Sequence, residues 1–109
     1  MPIFSVATSA IDKMFIESRI KAPYVHSQVS TLGGVNRASI IIKVSLDPKP
    51  KWANGIYQNS RYSMWHLGRD GTLEQFSLSY GLGKKMRKQK ASSLPDAIAR
   101  INKYLSTVK

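Results

Sequence analysis

In Ser39–Leu46, Ile40, Ile42, Val44 and Leu46 alternate with Ser39, Ile41, Lys43 and Ser45. A period of two belongs to a strand with one buried face, and the first set is the expected core face. Just before it, residues 24–32 (YVHSQVSTL) are rich in β-branched and aromatic types, and Gly33-Gly34 separates the two runs. This pattern predicts a hairpin. A second hairpin is predicted over residues 60–80, where SRYSMWHLGR and TLEQFSLSY flank Asp70-Gly71. Asp-Gly accepts the positive φ of a two-residue type I′ loop. That loop would set Trp65 opposite Phe76, Leu67 opposite Glu74, Ser63 opposite Leu78 and His66 opposite Gln75. One face would then carry Trp65, Leu67, Phe76 and Leu78 as core. The other would carry Tyr62, Met64, His66, Gln75, Ser77 and Ser79 toward water or a ligand.

The period changes to 3.6 near the end of the chain. Leu94, Ala97, Ile98, Ile101, Leu105 and Val108 form one stripe, which predicts a helix over 93–108. Ser93 is the expected N-cap, Asp96 stands three residues on as a capping-box variant, and Pro95 fits the first turn. A shorter helix is predicted over 10–20, capped by Ser9, with Ile11, Met14, Phe15 and Ile20 as its apolar positions. Residues 47–59 (DPKPKWANGIYQN) read as a long loop. The expected fold is α+β: an antiparallel sheet of four to five strands packed by one C-terminal helix. Residues 1–23 form a short helix or arm, and 24–109 form a single domain.

Charge adds to this picture. Lys and Arg number 17 against 6 Asp and Glu, a formal net charge of +11 in 109 residues. Self-repulsion on that scale calls for a counter-charged partner, and nucleic acid supplies many closely spaced phosphates. Hydrophobic residues make up 42%, enough for a folded core. With no cysteine there are no disulfides and no thiolate ligands, which fits a reducing compartment. The longest apolar run, Ile40-Ile41-Ile42, is far short of a membrane span, and the first 15 residues lack a signal-peptide pattern. A cytoplasmic, non-secreted protein with no membrane partner is therefore expected.

Catalytic motifs are missing from the sequence. His26 and His66 belong to no metal-binding pattern, the six acids are scattered, and no nucleophile elbow or P-loop spacing occurs. No catalytic residue, metal or cofactor is expected. The conspicuous segment is GLGKKMRKQKASS at 81–93, where Lys84, Lys85, Arg87, Lys88 and Lys90 are cationic. In an unbroken strand, Lys84, Met86, Lys88 and Lys90 would share one face, and Lys85, Arg87 and Gln89 the other. Such a run can serve as a charged, aggregation-resistant edge or as a phosphate-binding surface. Both of its ends adjoin predicted structure, which favours a defined surface over a loose tail. Aromatic residues near cations add base-stacking candidates: Tyr62 near Arg61 and His66, and Trp52 in a loop flanked by Lys49, Lys51 and Arg61.

The order of strands followed by a capped helix resembles the four-strand-plus-helix units of positive-cofactor-type and Whirly-type single-strand binders. GLGKKMRKQKA resembles the Gly-Lys-Lys segment that opens the last helix of double-stranded-RNA-binding domains, but here a fresh cap at Ser93 follows it. Neither likeness assigns a family. The expected function is non-catalytic, largely sequence-independent binding of single-stranded DNA or RNA. Lys84, Lys85, Arg87, Lys88, Lys90, Arg61 and Arg69 would meet phosphates, Tyr62 and Trp52 would stack on bases, and His66 would belong to the same binding surface. Small size and high charge fit a viral or mobile-element accessory protein. The rival is a small interaction module, an inhibitor or assembly factor, docking on an acidic protein partner. A free strand edge would allow a homodimer.

Overall fold

A computed structural model describes residues 3–4, 9–31, 34, 38–46, 52–53, 56–57, 62–79 and 82–107. For 9, 52–53, 56–57, 62, 77–79 and 82–87 the description is of the backbone alone. Helix α1 (Ser9–Arg19) is followed by strands β1 (Tyr24–Ser30), β2 (Ser39–Ser45), β3 (Trp52–Ala53), β4 (Ile56–Tyr57), β5 (Tyr62–Gly68), β6 (Thr72–Ser79) and β7 (Leu82–Lys90), then helix α2 (Leu94–Leu105). The main sheet has the order β1-β2-β5-β6-β7, and every pairing in it is antiparallel. This is the expected α+β fold with five strands. β3 and β4 form a two-stranded ribbon in the segment read as an irregular loop, pairing Trp52 with Tyr57 across Asn54-Gly55. No helix among the described residues is long and apolar enough to cross a membrane.

Both helices pack on one face of the sheet. Ile40, Ile42 and Val44 of β2 are buried there, as their alternation predicts, with Trp65, Leu67 and Leu73 beside them. From α2, Leu94, Ala97, Ile98, Ile101 and Leu105 join the same core. Each large apolar side chain buried this way contributes about 1.5–3 kcal/mol. The α2 cap is local and specific. Ser93 Oγ accepts the Asp96 N–H at 3.2 Å, and Asp96 Oδ2 accepts the Ser92 N–H at 2.9 Å, one residue before the usual box partner. Trp65 meets Tyr104 of α2 edge-on at 5.5 Å, and its indole N–H donates to Ser63 Oγ at 3.1 Å.

α1 belongs to this core through Ile16 and Ile20. The expected apolar positions Ile11 and Met14 point outward, 70% and 72% exposed. Glu17 accepts a hydrogen bond from buried Ser27 of β1 at 2.9 Å. At the other flank, Asn102 of α2 bonds the Arg19 carbonyl and the Lys21 N–H, at 3.1 and 2.8 Å.

The β5–β6 hairpin differs from expectation by one residue, with large effect. Its loop has three residues, Arg69-Asp70-Gly71, and not two. The Gly71 N–H bonds the Gly68 carbonyl at 3.1 Å, Asp70 Oδ1 accepts the Thr72 N–H at 2.9 Å, and Gly71 takes φ 92°. A tight turn closed by a positive-φ glycine is the usual three-residue hairpin solution. Consequently Met64 pairs with Phe76, Trp65 with Gln75, His66 with Glu74 and Leu67 with Leu73. Since side chains alternate, this one-residue slip exchanges the faces of β6. Leu73 and Gln75 are buried under the helices, whereas Phe76, expected in the core, lies on the opposite face with Glu74. Among the residues expected on the hairpin's polar face, Gln75 is the reversal. The expected faces of Leu78, Ser77 and Ser79 lie outside the described side chains.

β7 also departs from the unbroken alternation. A bulge separates Gln75, paired with Arg87, from Phe76, paired with Lys85, so Met86 is the extra residue.

Two stability measurements follow from this register. Leu73→Ala empties a fully buried site and loses about 2–5 kcal/mol in urea unfolding, while Phe76→Ala loses clearly less; the reverse ranking would contradict the register. Gln75 is 1% exposed, and among the described residues neither its side-chain oxygen nor its nitrogen has a hydrogen-bond partner. Leaving such an amide unpaired costs about 1–3 kcal/mol, so Gln75→Met raises the melting temperature.

Candidate nucleic-acid interface

The face away from the helices is built by the other half of each strand's alternation. One row crosses it as Gln28, Ile41, His66, Glu74 and Lys88, the cross-strand partners of β1, β2, β5, β6 and β7. The adjacent row runs His26, Lys43, Met64 and Phe76. Neighbouring strands stand about 4.8 Å apart, so a five-strand row spans roughly the length of a few nucleotides of extended chain. Ile41, Lys43, Met64, His66, Glu74 and Phe76 are all half-buried. They therefore keep part of their surface available while their neighbours limit their rotamers.

His66 and Phe76 form the centre. Their ring centroids are 4.7 Å apart and the planes are tilted by 49°. They occupy diagonal positions on adjacent strands, created by the Met64–Phe76 and His66–Glu74 pairings. Two rings tilted against each other, with sulfur and aliphatic neighbours at Met64 and Ile41, offer half-buried aromatic surface against which a base can stack on either ring. Lys43 stands on one side of this centre and Lys88 on the other, separated from it by Met64 and Glu74 respectively. Ammonium groups on either side of a stacking surface suit a chain whose phosphates flank its bases.

Burial holds the His66 imidazole below its ordinary pKa of 6.5, and the nearby Glu74 carboxylate offsets part of that shift. The ring is thus mainly neutral at pH 7, as stacking favours. At the hairpin tip, the hydrogen bond from the Thr72 N–H holds Asp70 below the usual carboxylate range, with further help from the Thr72 hydroxyl and Lys90. Lys90 Nζ lies 3.7 Å from Asp70 Oδ2, and both side chains are about two-thirds exposed. A pair so exposed is worth little, and phosphate can compete for the lysine.

The expected site residues fall into three groups. Lys88 and Lys90 are exposed on the edge strand, and His66 is at the centre of the helix-free face. Arg69 sits in the hairpin loop, half-buried, its carbonyl accepting the Ile3 N–H at 2.8 Å. For Lys84, Lys85 and Arg87 in β7, Tyr62 in β5 and Trp52 in β3, the strand positions are known and the side chains lie outside the described ones; Arg61 lies outside the described residues altogether. The structure adds Phe76, Lys43, Met64 and Ile41. Lys43 was visible in the alternation of β2, but an isolated lysine gives no charge-run signal. Phe76 was hidden by the hairpin register.

Among the described residues no cluster of three or more His, Asp or Glu gathers in a form that could hold a metal ion. No family model, curated protein or solved structure matches the chain.

The depressed His66 pKa has a signed consequence. Because the folded state disfavours protonation, its contribution to stability is complete above pH 6.5 and is lost as the pH falls through 6.5 and then through the lower folded value. Imidazole NMR should place the His66 midpoint below 6.5, and unfolding free energy should drop between pH 7 and pH 5 by less in His66→Gln than in the parent protein. A midpoint at or above 6.5 would contradict the burial of this ring.

Proposed function

We propose that this protein is a non-catalytic binder of single-stranded nucleic acid. The supporting observation is the tilted His66–Phe76 pair on a helix-free sheet face, set between Lys43 and the cationic edge strand β7. Bases stack on the ring pair, and the cations of β7 follow the phosphates. Stacking works for every base, so binding is largely independent of sequence. A duplex keeps its bases stacked on each other and is read mainly by an element inserted in a groove. Both helices are fastened to one face of the sheet, α1 through Ile16 and Ile20 and α2 through its apolar stripe, so the opposite face offers a sheet surface and no helix to a groove. The net charge of +11 supplies attraction at long range.

The rival reading is a module that docks on an acidic protein. It draws support from β7 itself, an edge strand with five cations onto which an acidic extended segment could be added.

Fluorescence anisotropy with single- and double-stranded oligonucleotides across a salt series separates the two. Single strands should bind more tightly than duplex, with affinity falling steeply as salt rises. Phe76→Ala should weaken single-strand binding by about 1–3 kcal/mol per base stacked on it, with the salt slope unchanged. Lys88→Gln with Lys90→Gln should flatten the slope by about 0.7 for each phosphate contact removed. Glu74→Gln, which removes an acid from the middle of the face, should tighten binding. Absence of oligonucleotide binding at low salt would rule out this function and favour the acidic partner.

A further inference from the structure

The two edges of the main sheet are treated differently. β7 carries five cations and a bulge, both of which discourage edge-to-edge pairing. β1 has neither device. Tyr24–Ser30 contains no Lys, Arg, Asp, Glu or Pro, and all seven of its residues pair with β2 in one continuous register. Among the described residues, no strand pairs with its outer side. A regular seven-residue edge presents a row of backbone N–H and C=O groups suited to another strand. In a chain of net charge +11, this charge-free edge is where another copy can approach without setting lysine against lysine.

We propose that β1 pairs antiparallel with β1 of a second copy, about a two-fold axis through Ser27, joining two five-stranded sheets into one of ten. Centred there, the register uses all seven residues. Val25 meets Val29 of the second copy, His26 meets Gln28, and Tyr24 meets Ser30, each pair occurring twice. On the helix side the Val25–Val29 pairs are β-branched and apolar and flank a central Ser27–Ser27 pair whose hydroxyls each donate to Glu17 of their own copy; on the other side the pairs are polar and uncharged. Pairs of both kinds stabilise a sheet, and no like charges stand directly opposite each other. The parity of this register also keeps the helices of both copies on the same side. α1, tied to β1 through Glu17 and Ser27, exposes Ile11 and Met14.

The pairing does not rest on the nucleic-acid reading, although it would make the two helix-free faces continuous. Salt separates the two ideas. Bringing two copies of charge +11 together is opposed by repulsion, which salt screens, so dimerisation strengthens as salt rises while polyanion binding weakens.

Size-exclusion chromatography with light scattering, from low to high micromolar protein and at low and high salt, tests the pairing. The mass should rise from 12.2 kDa toward twice that value with concentration, and more readily at high salt. The double variant H26K/Q28K sets lysine opposite lysine on both sides of the axis, and should weaken the dimer at least about tenfold with an unchanged circular dichroism spectrum. If that variant does not fold, Q28K alone, at an exposed position, carries the comparison. The chain has no cysteine, so H26C/Q28C should form a covalent dimer on mild oxidation and none under reduction. A parent protein that stays at 12.2 kDa throughout, a dimer indifferent to the lysines, or failure of the cysteine pair to cross-link would overturn the proposal.

Discussion

The close approach of Gly71 to Ala91 governs much of this structure. The Gly71 carbonyl accepts the Ala91 N–H at 2.7 Å, and a Cβ on Gly71 would stand 2.1 Å from the Ala91 carbonyl oxygen. Only glycine fits, both for space and for its φ of 92°. This contact fastens the β5–β6 turn to the junction between β7 and α2. The Ile3 N–H bonds the Arg69 carbonyl in the same turn, so three distant parts of the chain meet at one hairpin tip. The turn in turn fixes the loop at three residues. Loop length decides that Leu73 and Gln75 face the helices and that Phe76 faces away.

Electrostatics acts on a frame built by packing. The acids do structural work: Asp96 caps α2 and bonds Arg100 at 3.2 Å, Asp70 shapes the turn, and Glu17 receives the buried Ser27 hydroxyl. Arg100 also donates to Gln89 Oε1 at 3.0 Å, joining α2 to the edge strand. With 17 Lys and Arg against 6 Asp and Glu, the carboxylates are too few to balance the cations. That imbalance is the physical basis for seeking a polyanion.

Features with local causes were legible in the sequence. The Ser93 cap and the stripe from Leu94 to Leu105 depend on neighbours within one or two turns, and the structure contains both. The alternation of Ile40, Ile42 and Val44 likewise identified the core face of β2. What failed depended on distant contacts. Asp70-Gly71 suits two-residue and three-residue loops alike, and the choice came from the fit against Ala91. In α1, Met14-Phe15-Ile16 is a continuous apolar run that permits more than one stripe; the sheet selects Ile16 and Ile20. The Met86 bulge has no signature within a run of alternating lysines. The central part of the candidate site was therefore only half visible: His66 was found and Phe76 was lost to the core.

The order β1-β2-β5-β6-β7 means that each strand of the main sheet lies beside the next one along the chain. No crossover is needed between them, and the helices attach before the first strand and after the last. Among the described residues, no strand joins the edge strands β1 and β7 into a closed ring, and the helix-free side is bounded by those two edges. A polymer laid on it need not be threaded, so a closed circle has the same access as a linear strand with two ends.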